Sequence, residues 1–409
     1  MKIRINSIIY VIFYMMLFLS IIPYDITKLL PSTIGNIIIY IIRIIVLIYG
    51  LMLLCKKRDL CIKRKKIIKI TSIYFAVTFT VNILATLLNS QVINFFALIK
   101  RSSSILFTYF SIIVIIYNLS NKEYIIKGLK NATLLLVIIS CILYVFVPNV
   151  GKYYEGLGEY TFLGIANNRN GYIEFALALI VCLLYQKEQK MSIVNIVLVI
   201  FTLYTIILTK SATSIIMVFF SLSILIIEKI LKSKFNYNNI IKMIFAVWII
   251  YICALSFNFE FTNLGHFFNK SVTLTGRTYI WNQSIIEIKK HLFIGYGYGN
   301  DVLKNISNSL YYKYFALNDT HNAMLYLLMS SGIIGTLATL MYIIFIIKNA
   351  KVNYDTNNKY LYIYILASLV RGLTESCLHY SHVLFYIILI LVTEDNREGI
   401  KKQKGDCDG

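Results

Sequence analysis

Charged residues are scarce in this chain, and acidic residues are scarcer than basic ones. Only 14% of the 409 residues are charged, whereas an ordinary soluble domain has about 25%. Hydrophobic residues make up 58%, and the mean hydropathy is +0.71. A water-soluble protein of this size could not bury so much apolar surface, which excludes the soluble classes. Disorder is excluded as well, because it requires low hydrophobicity and high charge.

The sequence also lacks the common motifs of metal, nucleotide and disulfide chemistry. Its seven cysteines are scattered and form no CxxC pair and no cluster with histidine. Neither a zinc site nor a disulfide framework is therefore indicated. There is no HExxH, no Asp-rich metal loop and no Walker motif. We accordingly expect no metal ion and no cofactor.

Long apolar runs dominate the sequence instead. A membrane-spanning helix needs about 20 mostly apolar residues. Runs near that length occur about twelve times, at roughly 5–22, 34–54, 67–88, 102–118, 132–147, 170–185, 192–209, 213–228, 243–257, 322–347, 360–376 and 382–393. They predict an all-α, polytopic membrane protein that forms a single integral membrane domain over residues 1–409. No small-residue cleavage site follows the first run, which we interpret as a retained helix.

The basic residues predict the orientation of these helices. The formal net charge is +21, and lysine-rich loops occur around 55–66, 122–130, 229–242 and 348–359. Cytoplasmic loops of membrane proteins carry an excess of Lys and Arg. With twelve spans, all four loops lie inside the cell and both termini are cytoplasmic. The basic charge is thus interpreted as a sign of orientation in the cytoplasmic membrane, with no nucleic acid partner.

One predicted outer loop, residues 258–320, is about five times longer than the average loop that this span count leaves. Long loops in compact proteins are usually functional or disordered, and this one is too rich in aromatic residues to be disordered. We expect short helices in it, for instance over 279–290. The loop is the predicted location of the active site.

Three features in and after this loop suit glycosyl transfer. Arg277 is a permanent planar cation that can bind a phosphate through two hydrogen bonds. The glycine-rich stretch 295–299 could turn backbone N–H groups toward an anion. His321, at the start of the next helix, is a candidate base for an incoming hydroxyl. Each feature has an ordinary alternative: a solvated charge, a simple turn and a helix cap.

The order of these motifs resembles the O-antigen ligase/polymerase superfamily of membrane glycosyltransferases. The matching residues are Gly276-Arg277, Trp281, Gly295 to Gly299 and His321-Asn322. Further stretches that resemble the family are 164–180, 208–216 and 371–376. The resemblance implies a donor glycan linked to undecaprenyl pyrophosphate, in contact with membrane lipids.

The resemblance also assigns roles to individual residues. It implies that Arg277 binds the pyrophosphate and that His321 deprotonates or orients the acceptor hydroxyl. Lys100, in the outer loop before the fourth helix, would be a further anion contact. Trp281 and Asn322, which belong to the matching motifs, are candidate substrate-binding residues.

One position departs from the family pattern. The motif at 208–216 usually contains Ser-Arg, but here Ser211 is followed by Ala212. Lys210 or Arg169 could supply the missing charge. A lysine is a point charge, however, so Lys210 would not provide the bidentate phosphate binding of an arginine.

Ionisable residues in or beside the apolar runs are further candidates, because an unpaired charge there is costly and usually faces a cavity or a partner. They are Arg43, Glu174, Arg371 and Glu375. We expect Arg371 and Glu375 to contribute to substrate binding, with structural ion pairing as the alternative.

These observations predict a metal-independent glycosyltransferase of the cell envelope. It would polymerise undecaprenyl-pyrophosphate-linked oligosaccharide repeats into surface polysaccharide of O-antigen or capsule type, on the outer face of the cytoplasmic membrane. A chain-length regulator and a flippase would be its protein partners. The alternatives are a ligase that transfers a finished glycan to another acceptor, and, from another class, a polysaccharide flippase or transporter.

Overall fold

The computed structural model describes residues 32–55, 60–89, 95–154, 160–166, 169–185, 192–231, 236–256, 277–298, 320–350 and 357–394. Thirteen α-helices lie in these ranges. They are α1 (Ser32–Cys55), α2 (Ile62–Leu88), α3 (Phe95–Tyr117), α4 (Lys122–Phe146), α5 (Pro148–Gly151), α6 (Arg169–Leu184), α7 (Ile193–Leu208), α8 (Ala212–Leu231), α9 (Tyr237–Ser256), α10 (Arg277–Lys290), α11 (Ala323–Lys348), α12 (Asn358–Arg371) and α13 (Val383–Leu391).

The predicted helical membrane architecture is confirmed in its general form. Eleven of the twelve predicted apolar runs coincide with helices, and the run 5–22 lies outside the described residues. Six helical segments in the described ranges are long and apolar enough to cross a membrane: 37–55, 62–88, 98–117, 119–146, 212–231 and 323–348. The span count of twelve stays a prediction, as does the assignment of the two faces. Besides the helices, a small antiparallel hairpin pairs β1 (Lys152–Tyr154) with β2 (Tyr160–Phe162).

The last two helices are shorter than the sequence predicted. The run 360–376 is helical only to Arg371, so Glu375 lies on a turn and not inside a span. The helix ends there because the carbonyls of the following residues are bound by side chains and N–H groups from other elements. The final helix, α13, has only 9 residues and is buried on every side. It therefore lies inside the bundle rather than against lipid.

Helices at the periphery show the opposite burial pattern. The apolar side chains of Ile193, Val197 and Ile200 on α7 are exposed, and α1 exposes a similar row. An apolar face of this kind is stable only against lipid, because water would hydrate it at a high free-energy cost. The helices with the site-bearing turn, α12 and α13, lie behind this layer.

Ion pairs and a hydrogen bond from a lysine join several helix ends at one end of the bundle. Arg64 near the start of α2 pairs with Glu394 after α13, at 2.7 Å. Lys122, at the start of α4, donates to the Glu394 carbonyl at 2.8 Å. Lys359, at the start of α12, lies 3.5 Å from Glu228 in α8. The loops predicted to be cytoplasmic thus meet at a single end, which we call the basic end.

Helix α11 is broken near its middle, at Gly332. This residue has φ +60°, which lies in the left-handed region and interrupts the helical hydrogen bonds. The N–H groups of Ile333 and Ile334 instead donate to the carbonyls of Leu292 and Phe293, at 2.9 and 3.2 Å. The segment that follows α10 therefore replaces the missing bonds of the broken helix and fixes α10 against α11.

Candidate active site

A buried carboxylate, Glu375, lies at the centre of the site. Its Oε1 accepts hydrogen bonds from Asn170 Nδ2 at 2.6 Å and from Arg277 Nη2 at 3.0 Å. Its Oε2 lies 3.5 Å from Nδ1 of His321. The structure therefore brings together three residues that the sequence predicted separately, Arg277, His321 and Glu375, although they lie up to 98 positions apart.

The surroundings of Glu375 keep it ionised. Burial raises the pKa of its carboxyl, but the contact with His321 and the positive charges of Arg277 and Arg371 outweigh burial. The pKa is consequently lowered from its ordinary value of 4.5. At neutral pH the group is a carboxylate that lies between cationic and proton-donating partners.

Arg277 is oriented by two contacts from one guanidinium. Nη1 donates to the carbonyl of Thr374 at 2.9 Å, and Nη2 donates to Glu375. The residue is the first of α10, and its side chain is partly exposed. A guanidinium has five N–H donors, so these two bonds leave others for an anionic ligand.

His321 has a strained backbone that its neighbours hold in place. Its φ is +49°, which is uncommon for a residue other than glycine. On one side, Asn322 caps α11 by accepting from two N–H groups of its first turn at 3.0 Å. On the other, Trp281 donates its indole N–H to the Thr320 carbonyl at 3.0 Å. The imidazole side chain itself is 34% exposed, so a ligand can reach it.

Four of the predicted substrate-binding residues prove to be buried. The exposed fractions of Trp281, Asn322, Glu375 and Arg371 lie between 2% and 6%. Arg371 donates to Glu174 of α6 at 3.0 Å, which is the ion pairing that the sequence analysis kept as an alternative. This placement favours structural roles for the four side chains, and their contact with substrate stays a prediction.

The two cations proposed to replace the missing family arginine lie beside the same hydrogen bond. Ser211 donates to Asn170 Oδ1 at 2.6 Å, and Asn170 in turn donates to Glu375. Lys210 precedes Ser211 and is exposed, with φ +48°. Arg169 precedes Asn170, and its guanidinium lies 5.2 Å from the centre of the Tyr153 ring. Which of the two compensates for Ala212 stays a prediction.

Two predictions about anion contacts need correction. Lys100 lies within α3 and not in the loop before it, because α3 already begins at Phe95. The glycine-rich stretch offers no anion nest over residues 295–298, since each of these four N–H groups donates within the protein. The acceptors are, in order, the carbonyls of His291, Met329 and Ser330 and the side-chain oxygen of Asn82.

Sequence reasoning missed some contributors to the site. Asn170 links Ser211 to Glu375, and its only signal was the asparagine-rich run 167–170. Glu287 of α10 is buried and accepts from Tyr296 at 2.8 Å, which ties the helix to the glycine-rich stretch. In the described ranges, no group of three His, Cys, Asp or Glu residues is arranged to hold a metal ion.

Comparison with known proteins supports the resemblance seen in the sequence. The family model described as O-antigen ligase matches residues 196–340, a region that contains Lys210, Arg277, Trp281, His321 and Asn322. No curated protein matches the chain significantly. The apolar helices and this match together indicate a multi-pass membrane protein, and the match supports a ligase- or polymerase-type function. The match over residues 196–340 confirms the resemblance of this chain to the O-antigen ligase/polymerase superfamily.

Proposed function

We propose that this protein polymerises undecaprenyl-pyrophosphate-linked oligosaccharide repeats on the outer face of the cytoplasmic membrane. The observation that carries the proposal is the joining of Arg277 and His321 through Glu375. A cation for the phosphate leaving group and a base for the acceptor hydroxyl then both contact the same carboxylate. Metal-independent transfer from a lipid-linked donor requires these two groups.

The chemical step is a displacement at the anomeric carbon of the donor glycan. The acceptor hydroxyl oxygen forms the new glycosidic bond, and the bond from the anomeric carbon to the pyrophosphate oxygen breaks. His321 takes the hydroxyl proton. If its Nδ1–H faces Glu375, the basic nitrogen is Nε2, and the Glu375 carboxylate stabilises the imidazolium that forms.

Arg277 has the complementary role on the leaving group. Negative charge develops on the pyrophosphate as its bond to the sugar breaks, and a preoriented guanidinium stabilises that charge. The contacts with Thr374 and Glu375 hold the guanidinium in place before the donor arrives. Lys210 and Arg169 are proposed as additional contacts to the phosphates or sugars, and Lys100 as a more distant one.

The separation of charges along the bundle supports an outer location of the site. The lysine-rich loops meet at the basic end, and the Glu375 cluster lies at the opposite ends of the helices. Since cytoplasmic loops are enriched in Lys and Arg, we place the basic end in the cytoplasm. The cluster then faces the compartment in which a flippase would deliver the lipid-linked repeat.

Incubation of the purified protein with one undecaprenyl-pyrophosphate-linked repeat unit tests the proposal. A ladder of products that differ by one repeat is expected. The family description favours a second candidate, a ligase, which would give no product until a different acceptor is added. Movement of the glycan across a vesicle membrane without any change in glycan length would instead indicate a transporter.

A further inference from the structure

A second buried ionic cluster lies beside the first and has no role in the reaction described above. Glu174 of α6 accepts from Arg371 Nη1 at 3.0 Å, and the same Oε2 lies 3.0 Å from His382 Nδ1. The side chains are at most 20% exposed. His382 is the residue immediately before α13, so this cluster joins α6, the end of α12 and the start of α13.

Both ring nitrogens of His382 face hydrogen-bond acceptors. Nε2 lies 2.9 Å from the Ser376 carbonyl oxygen, which can only accept, so Nε2 must carry a proton. Nδ1 lies 3.0 and 3.1 Å from the two oxygens of Glu174. A proton is needed there too, either on Nδ1 or on the carboxyl group. Because Arg371 is permanently charged and bonds the same carboxyl, the carboxylate is favoured and the proton belongs to the ring.

We infer that His382 is held as an imidazolium by Glu174 and is a positioning residue that fixes the turn on which Glu375 lies. The consequence for turnover rests on the proposed function, whereas the protonation state does not. The evidence is the pair of acceptors on one ring, together with the way the turn is held.

Residues 372–376, hereafter the carbonyl turn, are held in place by hydrogen bonds to their backbone oxygens. The first three carbonyls of the turn, those of residues 372–374, each accept one hydrogen bond. The donors are, in order, Ala323 N at 2.8 Å, Asn322 Nδ2 at 3.1 Å and Arg277 Nη1 at 2.9 Å. At its other end, the Ser376 carbonyl is bound by His382. Because Ser376 directly follows Glu375, a loosened His382 contact shifts the carboxylate that orients Arg277 and His321.

Of the two neighbouring imidazole rings, His382 is the one that carries the extra proton. Its ring lies 4.5 Å, between centroids, from the ring of His379, and the pKa of His379 is well below its ordinary value of 6.5 because of burial and the charge on His382. His379 is therefore neutral. The charged and titratable groups on the neighbouring elements are Glu174 of α6, Tyr364 and Arg371 of α12, and Glu375, Cys377 and His379 of the connecting segment.

Without the proton on Nδ1, a lone pair of His382 would face a lone pair of the Glu174 carboxylate. The bare Nδ1 would face the Glu174 carboxylate at hydrogen-bond distance with no proton between them. Repulsion would then push His382 away and release the Ser376 carbonyl.

Nitrogen NMR of the full chain, labelled with ¹⁵N-histidine in lipid nanodiscs, tests the protonation state. The chain has five histidines, and the His382 signals are those that vanish in His382→Gln. We expect both ring nitrogens to be protonated at neutral pH. In Glu174→Gln, we expect Nδ1 to lose its proton, because an amide can donate to it. A singly protonated His382 in the wild type, or an unchanged ring in Glu174→Gln, would overturn the inference.

The ladder assay tests the positioning role. His382→Gln should lower kcat about 10- to 100-fold with little change in KM. His291→Gln, a histidine outside both clusters, is the matched control and should match the wild type. A wild-type kcat in His382→Gln, or a loss of activity that appears only as a raised KM, would disprove positioning. Failure of the wild type to form a ladder would refute the proposed function instead and would leave the NMR result intact.

Discussion

At the scale of single residues, the Glu375 carboxylate is what allows Arg277 and His321 to lie close together. Two groups that carry or acquire positive charge repel each other unless an anion lies between them. Glu375 contacts both, at 3.0 and 3.5 Å, from a buried position. The charge of one side chain therefore determines the geometry of two others.

Substitution of Arg277 and His321, the two residues proposed to react, should slow chain growth strongly. His321→Ala removes the base, for a loss of about 10²- to 10⁴-fold in rate. Arg277→Ala removes leaving-group stabilisation, for a loss of about 10²- to 10³-fold. Arg277→Lys keeps the charge but not the bidentate contact, so its rate should lie between those of the wild type and Arg277→Ala. The measurement is the rate of ladder formation at equal amounts of membrane-inserted protein.

Lys289→Ala is the matched control, since Lys289 is an exposed cation on the same helix as Arg277. It should retain wild-type activity. Full activity in both alanine variants at 277 and 321 would show that the site assignment is wrong.

Glu375→Gln should destabilise the protein in a pH-dependent manner. Replacement of a charged hydrogen-bond partner costs about 1.5–3 kcal/mol. Because folding lowers the pKa of Glu375, its stabilising contribution is complete above the ordinary value of 4.5 and is lost as the pH falls below it. Thermal unfolding in detergent should show a lower Tm for the variant at neutral pH. The difference should shrink in acid, and a constant difference at all pH values would contradict this account.

The sequence predicted which residues form the site better than it predicted what they contact. Arg277 and His321 were identifiable because their types suit the chemistry and their order resembles a family. Trp281 was predicted to bind substrate, and nothing in the sequence indicated that its buried indole N–H donates to the Thr320 carbonyl. The asparagine-rich run could not reveal the role of Asn170, because that role depends on a contact 205 positions away in the chain. Periodicity and spacing contain no information about such distant contacts.

At the scale of elements, the break in α11 and the segment after α10 depend on each other. Gly332 opens the helix, and the stretch from Leu292 to Gly297 binds the groups that this frees. A Cβ on Gly332 would lie 2.3 Å from the Phe293 carbonyl carbon, and one on Gly295 would lie 2.6 Å from the Met329 oxygen. These backbone atoms have no room to move aside.

Gly332→Ala and Gly295→Ala should therefore each lower stability by at least about 2 kcal/mol, from left-handed strain and overpacking together. Activity should fall with stability, because α10 carries Arg277. Thermal unfolding in detergent provides the measurement. Ser330→Ala is the control, since that hydroxyl bonds only to carbonyls of its own helix. A wild-type Tm for both glycine variants would mean that the close contact is absent.

Apolar periodicity and length predicted the helices well, but not where the last two end. The composition of 360–376 suits a helix throughout, yet α12 stops at Arg371. The reason is tertiary, because Asn322, Arg277 and Ala323 bind the carbonyls that a longer helix would have used. A local pattern cannot reveal competition from distant donors.

At the scale of the whole molecule, the basic end and the Glu375 cluster define two opposite faces. Cys55 and Cys61 are exposed at the basic end, whereas Lys210 is exposed beside the cluster. These positions allow the orientation to be measured with a membrane-impermeant thiol reagent on intact cells.

In a variant that retains only Cys55 and Cys61, we expect no labelling until the membrane is permeabilised, since we place the basic end in the cytoplasm. Lys210→Cys in a cysteine-free background should be labelled from outside without permeabilisation. Permeabilised cells control for reactivity in both cases. The reverse pattern would invert the orientation and place the cluster on the cytoplasmic side.

The carbonyl turn has a consequence for how this site can vary in evolution. A backbone oxygen is supplied by every amino acid, so the grip on Gly372, Leu373 and Thr374 does not depend on the identity of Leu373. Substitutions there can accumulate while the turn keeps its place, whereas the donors Asn322 and Arg277 must persist. Two related proteins can therefore differ at Leu373 and keep this architecture, provided that Glu375 and the two side-chain donors are retained.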